Sequence, residues 1–254
     1  MPGARCARDA RGIRMKLLAV NGSPHGSEGG TARIAGWVAD GACSAGAEAE
    51  TCDLAALDLG HCGGCGRCMR AGSCAIEDDL PRVHAAMRAA DLIVFASPTY
   101  VFHVSGLMKD LIDRSAALFH RPPLEGKYGA VVTSSAGMGE SEVIRYLGLC
   151  LEVLGAAMVG AVWGTYRPPT RLWDPAGVRR RAEQLGRDLV GAAQEQRAYP
   201  LRDEVVSKRR FLRELIWQNR KIFREDFADW RARGWFDRLP GTYPTGRREW
   251  PPER

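Results

Sequence analysis

MKLLAVNGSPHGSEGGT, residues Met15–Thr31, passes from an apolar run into a glycine- and serine-rich loop, and then into a helical pattern from about Ala32 to Cys43. MKLLAVN is too short for a buried helix and reads as a strand covered on both faces. A strand, a small-residue loop and a helix in direct succession open a βαβ unit, which predicts a parallel sheet flanked by helices. The hydroxyls of Ser23 and Thr31 and the loop N–H groups converge on a helix N-terminus, a setting that favours a phosphate. The loop lacks the Gly-Lys-Ser/Thr ending of a Walker loop and the G-x-G-x-x-G dinucleotide pattern.

The same alternation continues along the chain. Strands are expected over Glu48–Leu54, Asp91–Ala96, Tyr128–Thr133 and Ala156–Trp163. Helices are expected over Leu80–Ala89 (capped by Asp78 and Asp79), Ser105–Phe119, a stretch ending near Leu154, and Pro175–Gln196. Five strands suit a flavodoxin-like, doubly wound parallel sheet of order 2-1-3-4-5. This domain is expected over residues 15–196, after an Arg-rich, disordered leader at 1–14. Residues 197–254 form a different unit, a helical extension rich in aromatics. There Leu212, Leu215, Ile216, Ile222, Phe223, Phe227 and Trp230 recur at helical spacing, and four of the seven tryptophans are Trp217, Trp230, Trp235 and Trp250.

The chain has 254 residues, 45% of them hydrophobic, enough for a sizeable core. No apolar run reaches the roughly 18 residues of a membrane span, and residues 1–14 lack the apolar core of a secretory signal. The net charge of +6 is uneven: residues 201–254 carry 14 Lys and Arg against 9 Asp and Glu. A nucleic-acid binder is more uniformly basic. Neither nucleic acid nor membrane is therefore expected as a partner.

Two further loops follow strands. Ala96-Ser97-Pro98-Thr99-Tyr100-Val101-Phe102-His103 brings two aromatics that can flank a planar ring, backbone groups for its polar edge, and a candidate proton donor in His103. Thr133-Ser134-Ser135-Ala136-Gly137-Met138-Gly139 is small enough for close approach of a ligand. Ligands of open α/β sheets bind beyond the carboxyl ends of the strands, so the three loops together predict a site for a ring bearing a phosphate.

Between the second strand and the second helical stretch runs HCGGCGRCMRAGSC, with Cys62, Cys65, Cys68 and Cys74 spaced C-x2-C-x2-C-x5-C. Thiolates are soft ligands that select zinc, copper(I) or iron–sulfur clusters. Structural zinc sites usually separate two C-x2-C pairs by a longer stretch, whereas a third cysteine two residues on is the habit of cubane loops. The run, within a loop at 61–77, reads as four local ligands of one [4Fe–4S] cluster, with zinc or redox-active thiols as alternatives. Gly63, Gly64, Gly66 and Gly72 supply the positive φ angles of a tight spiral. Clustered cysteines without a signal peptide suit a reducing cytoplasm.

NGSP…T, the cysteine run followed by Asp78-Asp79, and SPTYVFHVSGLMKDLIDR together resemble the NADPH-dependent FMN reductase superfamily over about residues 15–165, and the cysteine spacing is similar to that of its iron–sulfur flavoproteins. EDFADWRARGWFD resembles the C-terminal extension of some of its members. The resemblance implies noncovalent FMN, one [4Fe–4S] cluster and assembly into homodimers or homotetramers. It places the FMN phosphate on Ser23, His25, Gly30 and Thr31. The isoalloxazine falls to Pro98, Thr99, Tyr100, Val101 and Phe102, with Ser135, Ala136 and Gly137 on its other side. The cluster falls to Cys62, Cys65, Cys68 and Cys74. Members commonly carry Arg where His25 stands, and Asn or Ser where Gly30 stands.

The expected activity is electron transfer from NAD(P)H or ferredoxin through the flavin to a small acceptor, at a face shaped by Tyr100, Phe102 and His103. The alternatives are an NAD(P)H-dependent quinone, azo or flavin reductase without a cluster, and a non-enzymatic electron carrier or redox sensor.

Overall fold

The computed structural model describes residues 15–167 and 171–238. The expected leader at 1–14, and Trp250 of the tail, lie outside them. Eight helices and six strands alternate along the described chain: β1 (Lys16–Asn21), α1 (Gly30–Ser44), β2 (Glu48–Asp53), α2 (Arg67–Ala71), α3 (Leu80–Ala89), β3 (Leu92–Pro98), α4 (Gly106–Arg114), β4 (Tyr128–Ser135), α5 (Glu140–Val153), β5 (Ala157–Arg167), β6 (Arg171–Leu172), α6 (Pro175–Gln194), α7 (Asp203–Gln218) and α8 (Arg224–Ala232).

The sheet order is β2-β1-β3-β4-β5-β6. β1 to β5 pair in parallel as expected for the flavodoxin-like arrangement. The sheet is six-stranded and mixed, however, rather than five-stranded and parallel. β5 runs on past Trp163 to Arg167, and β6 folds back on it antiparallel, pairing Tyr166 with Leu172 and Arg167 with Arg171. The return is held by a hydrogen bond from the Trp173 N–H to the Thr165 carbonyl (2.8 Å) and by the Arg167 guanidinium over the Trp173 ring.

Alternate residues of each buried strand enter opposite layers, as a period of two requires. Leu18, Val20, Ile93, Phe95 and Val131 pack against α3, α4 and α5 through Val83, Met87, Met108, Leu111, Leu147 and Leu151. Leu17, Ala19, Leu92, Val94 and Val132 pack against α1 and α6 through Ile34, Val38, Val178 and Leu189. The edge strand β2 is largely exposed, and it carries Glu48 and Glu50, charges that discourage pairing with another sheet.

Several element ends differ from expectation. The helix foreseen over 105–119 stops at Arg114 and tightens into a 3₁₀ turn over Ala116–Phe119. The single apolar face of the tail is split between α7 and α8, and Ile222 in the break is exposed. Leu212, Ile216, Trp230, Trp235 and Phe236 form a small core of their own. That core is fastened to the sheet domain by polar contacts: Trp230 Nε1 donates to the His120 carbonyl (2.6 Å), His120 meets Asp226 (2.7 Å), and Arg209 pairs with Glu125.

Candidate functional site

The carboxyl ends of β1, β3, β4 and β5 carry the loops singled out above, and hydrogen bonds tie the loops to one another. Asn21, fully buried at the end of β1, donates from Nδ2 to the Gly26 carbonyl (3.0 Å) and to Asp53 (2.6 Å), and its Oδ1 accepts from the Ser23 N–H (3.1 Å). The loop is thereby closed over the start of α1. The Ser23 hydroxyl accepts from the His25 N–H (3.3 Å) and lies where a side chain at Gly29 would stand. Gly29 is the N-cap of α1, and no side chain caps that helix. Its first-turn N–H groups are therefore available to an anion, and the helix dipole adds to the attraction.

Thr31 shares a hydrogen bond with Ser134 of β4 (2.7 Å), which joins the first loop to the third. Ser105 joins the first to the second: its Oγ donates to the Gly22 carbonyl (2.5 Å), and its N–H donates to Ser97 Oγ (3.0 Å). The Thr99 N–H donates to the Ser134 carbonyl (2.7 Å), and the Thr99 and Thr133 hydroxyls share a bond (3.0 Å).

Tyr100–His103 is a tight turn closed by reciprocal backbone bonds of 2.8 and 3.0 Å. Its central residues Val101 and Phe102 have φ of 47° and 63°. Left-handed conformations cost roughly 1–2 kcal/mol for such residues, and strain of this kind concentrates at ligand clamps. Val101 is 94% exposed, Phe102 54% and Tyr100 43%, so the strained turn holds apolar side chains out beyond the sheet. Gly139 of the third loop has a φ of 90°, and a Cβ there would lie 2.9 Å from Phe102 Cα; the two loops touch. Ser135 and Thr165 both donate to Glu140, the latter at 3.2 Å, and Gly137 donates to Ser135 Oγ at 3.0 Å.

Ser23, Thr31, Pro98, Thr99 and Ser135 are thus gathered into one bonded ring, with Tyr100, Val101, Phe102, Ala136 and Gly137 at its rim. His25 is exposed on the outer side of the first loop. The His103 ring, itself exposed, meets Tyr146 of α5 in a tilted contact, 4.4 Å between centroids.

The cysteine loop packs along the α3 and α4 side of the sheet, where Arg114 ties its two ends together. Arg114, at the end of α4, forms a two-pronged pair with Asp78 (2.6 and 3.1 Å), both side chains at most 2% exposed. The same guanidinium donates to the Gly60 carbonyl (2.8 Å) and to Cys74 Sγ (3.2 Å). Asp78 also accepts from the Gly60 and Leu80 N–H groups (3.0 and 3.1 Å). The Arg114 bonds, aided by these N–H donors, hold its carboxyl at a pKa of about 2. The Leu80 N–H bond makes Asp78 the side chain that satisfies the start of α3; Asp79 instead accepts from the Asp58 N–H (3.0 Å). Arg121 lies where a side chain at Gly72 would be.

Between these anchors Cys62 and Cys65 are exposed, and Cys68 and Cys74 are half-buried. Burial, and then the charges of Cys74, Cys62 and Cys65, push the Cys68 thiol up. Gly64, Gly66 and Gly72 have positive φ as expected, whereas Gly63 does not, and α2 occupies the middle of the loop. Among the described residues, no three His, Cys, Asp or Glu side chains stand close enough together to hold a metal ion.

Residues 15–166 match the family model described as NADPH-dependent FMN reductase. The chain belongs to that family. It is 28% identical to an iron-sulfur flavoprotein of Archaeoglobus fulgidus over 87% of this chain and 99% of that protein. It is 35% identical to an iron-sulfur flavoprotein of Methanocaldococcus jannaschii over 70% of this chain and 90% of that one. Among solved structures it is similar in fold to RosB with a bound 8-demethyl-8-formylriboflavin-5′-phosphate intermediate, at a TM-score of 0.57 and 15% identity, covering 94% of this chain and 98% of that one.

As a member of the NADPH-dependent FMN reductase family, the chain is a flavin-dependent oxidoreductase, and the bonded ring fits FMN. An uncapped helix N-terminus with the Ser23 hydroxyl beside it suits the phosphate. The apolar turn at 100–102 suits the flat ring system. Asn21, Ser105 and Arg114, which the quoted motifs contain without a role given to them, take part in this architecture, as does Tyr166, which no motif contains. Arg114 carried a usable signal: it follows Leu111 by three residues on the stripe that α4 buries.

Proposed function

We propose that the protein is an FMN-dependent oxidoreductase that also carries a [4Fe–4S] cluster on Cys62, Cys65, Cys68 and Cys74, and that passes electrons from NAD(P)H or ferredoxin through the flavin to a small acceptor. The observation that carries the cluster reading is the clamp at Arg114. A buried, ion-paired guanidinium donates to the sulfur of Cys74 and, through Gly60 and Asp78, brings together both ends of a loop with four thiols. Four soft donors on one short loop, with an N–H aimed at one sulfur, match what a cluster requires of its protein.

FMN supplies hydride acceptance and single-electron transfer, and a cluster supplies single-electron transfer. The chain's own residues bind and orient. Ser23 and the N-terminus of α1 hold the anion. Thr99, Ser134 and Thr133 fix the backbone against which the ring edge lies. Glu140 keeps Ser135 and Thr165 in place, and Tyr100, Val101 and Phe102 exclude water from one flank. The donor, the acceptor, a cytoplasmic setting and association into homodimers or homotetramers complete the reading. Among the described residues no helix is long and apolar enough to cross a membrane.

The deciding experiment is anaerobic purification followed by a visible spectrum and analysis for flavin, iron, sulfide and zinc. About one FMN with about four irons and four sulfides per chain is the expected result. FMN without iron would replace the cluster reading with that of a plain NAD(P)H-dependent reductase.

A further inference from the structure

Tyr166 stands in the part of β5 beyond the strand end expected from sequence, and its hydroxyl has no role in the packing of the fold. The oxygen is buried and makes no hydrogen bond. The other buried side-chain polar atoms in that condition have charged company: Arg121 Nε lies 3.1 Å from Asp226, Glu152 Oε2 3.2 Å from Arg202, and Asp229 Oδ2 2.9 Å from Arg233. Arg209 and Arg213 have further interactions of their own. Among the described residues, Tyr166 is left with a donor that faces nothing, an arrangement that costs stability unless a ligand completes it.

The place it faces is specific. A Cβ built on Gly30 would lie 2.5 Å from the phenol oxygen and 2.6 Å from Cε2. Gly30 is the first residue of α1, and Cα–Cβ bonds of a helix lean toward its N-terminus. The ring therefore occupies the mouth of the helix, beside N–H groups that no side chain caps. Gly30 is glycine because the ring fills the space a side chain would need. The direction is set by the strand: Thr165 reaches Glu140, so its neighbour Tyr166 points to the opposite layer, the one that contains α1. Pairing with Leu172 of β6 holds the backbone there. Burial raises the phenol pKa against the opposing charge of Arg33, so the group remains a donor.

We propose that Tyr166 is a binding residue for FMN, its phenol donating a hydrogen bond to the terminal phosphate held at the N-terminus of α1. The inference rests on the flavin reading above and adds to it a contact from β5. Flavin-free full-length protein and its Tyr166→Phe variant are titrated with FMN and with riboflavin, which has no phosphate, by quenching of flavin fluorescence. The variant keeps the ring and loses only the donor. The expected result is about a tenfold or greater loss of FMN affinity, an unchanged affinity for riboflavin, and a flavin-free melting temperature equal to or above that of the wild type. Equal FMN affinity in the two proteins would overturn the inference alone, as would an equal loss for FMN and riboflavin. Failure of the wild type to take up FMN would overturn the flavin reading and this contact together.

Discussion

The ring of strand-end loops and the cysteine loop are built in opposite ways. The ring is bonded internally: Ser105 to Gly22, Thr31 to Ser134, and Thr99 to Ser134 and Thr133. The cysteine loop has its firm contacts at its two ends, where Arg114 gathers Gly60, Cys74 and Asp78, while Cys62 and Cys65 stand exposed between. A pre-bonded ring suits a ligand that docks into a finished cradle. A loop whose hydrogen bonds gather at its ends, with its thiols exposed or half-buried, suits a centre that itself completes the packing.

The most severe way to break this contrast is Arg114→Ala. It strands Asp78, a buried carboxylate, and removal of one partner of such a pair costs about 3–5 kcal/mol. Urea unfolding reads that loss. Iron and flavin analysis of the variant is expected to show iron lost and FMN retained; equal loss of both would mean that the two regions are one unit.

Acid sharpens the contrast next. Burial depresses His84, beneath the cysteine loop and in contact with Ser115 (2.8 Å), to a pKa of about 4. The unfolded chain takes up this proton near pH 6.5 and the folded chain only near pH 4, so stability falls as pH drops through that window. The shift corresponds to about 3 kcal/mol. His84→Gln is expected to flatten the pH dependence of urea midpoints between 6.5 and 4.

Gly139→Ala tests the ring. Its φ of 90° and the approach to Phe102 and Thr99 predict a loss of about 2 kcal/mol in stability, with weaker FMN binding and unchanged iron content. Val101→Asn is the mildest change. Asn tolerates the left-handed region that Val101 occupies, so a gain of about 1 kcal/mol is expected in the same urea assay. No gain would mean that the turn stores no strain.

The β1–loop–α1 unit was legible because its hydrophobic period changes abruptly between Asn21 and Thr31, and β3, β4 and the first part of β5 were legible as short apolar runs. What stayed hidden has physical causes. β6 is two residues long, below any periodicity, so neither the sixth strand nor the true end of β5 could be seen. Thr165 and Tyr166 favour strands, but they precede Pro168-Pro169 and read as the start of a loop. The tail was read as one face because its spacing is helical on both sides of Asn219, whose side chain caps Leu215 of α7 (2.9 Å) where the chain turns. The three loops and the cysteines were visible as residue types. The bonds that unite or anchor them were not, since Ser105 and Arg114 act over 83 and 40 residues of sequence on Gly22 and Cys74.

The seat of Arg121 has a consequence for cooperativity. Its guanidinium lies under Gly72 of the cysteine loop and beside Asp226 of α8. The stretch near residue 197 is a border in composition but not in unfolding. When α8 lifts, Arg121 loses its counter-charge and the floor beneath Gly72 loosens with it. Amide exchange in α2 should therefore follow the opening of α8, far from it in sequence, and not the slow exchange of the sheet.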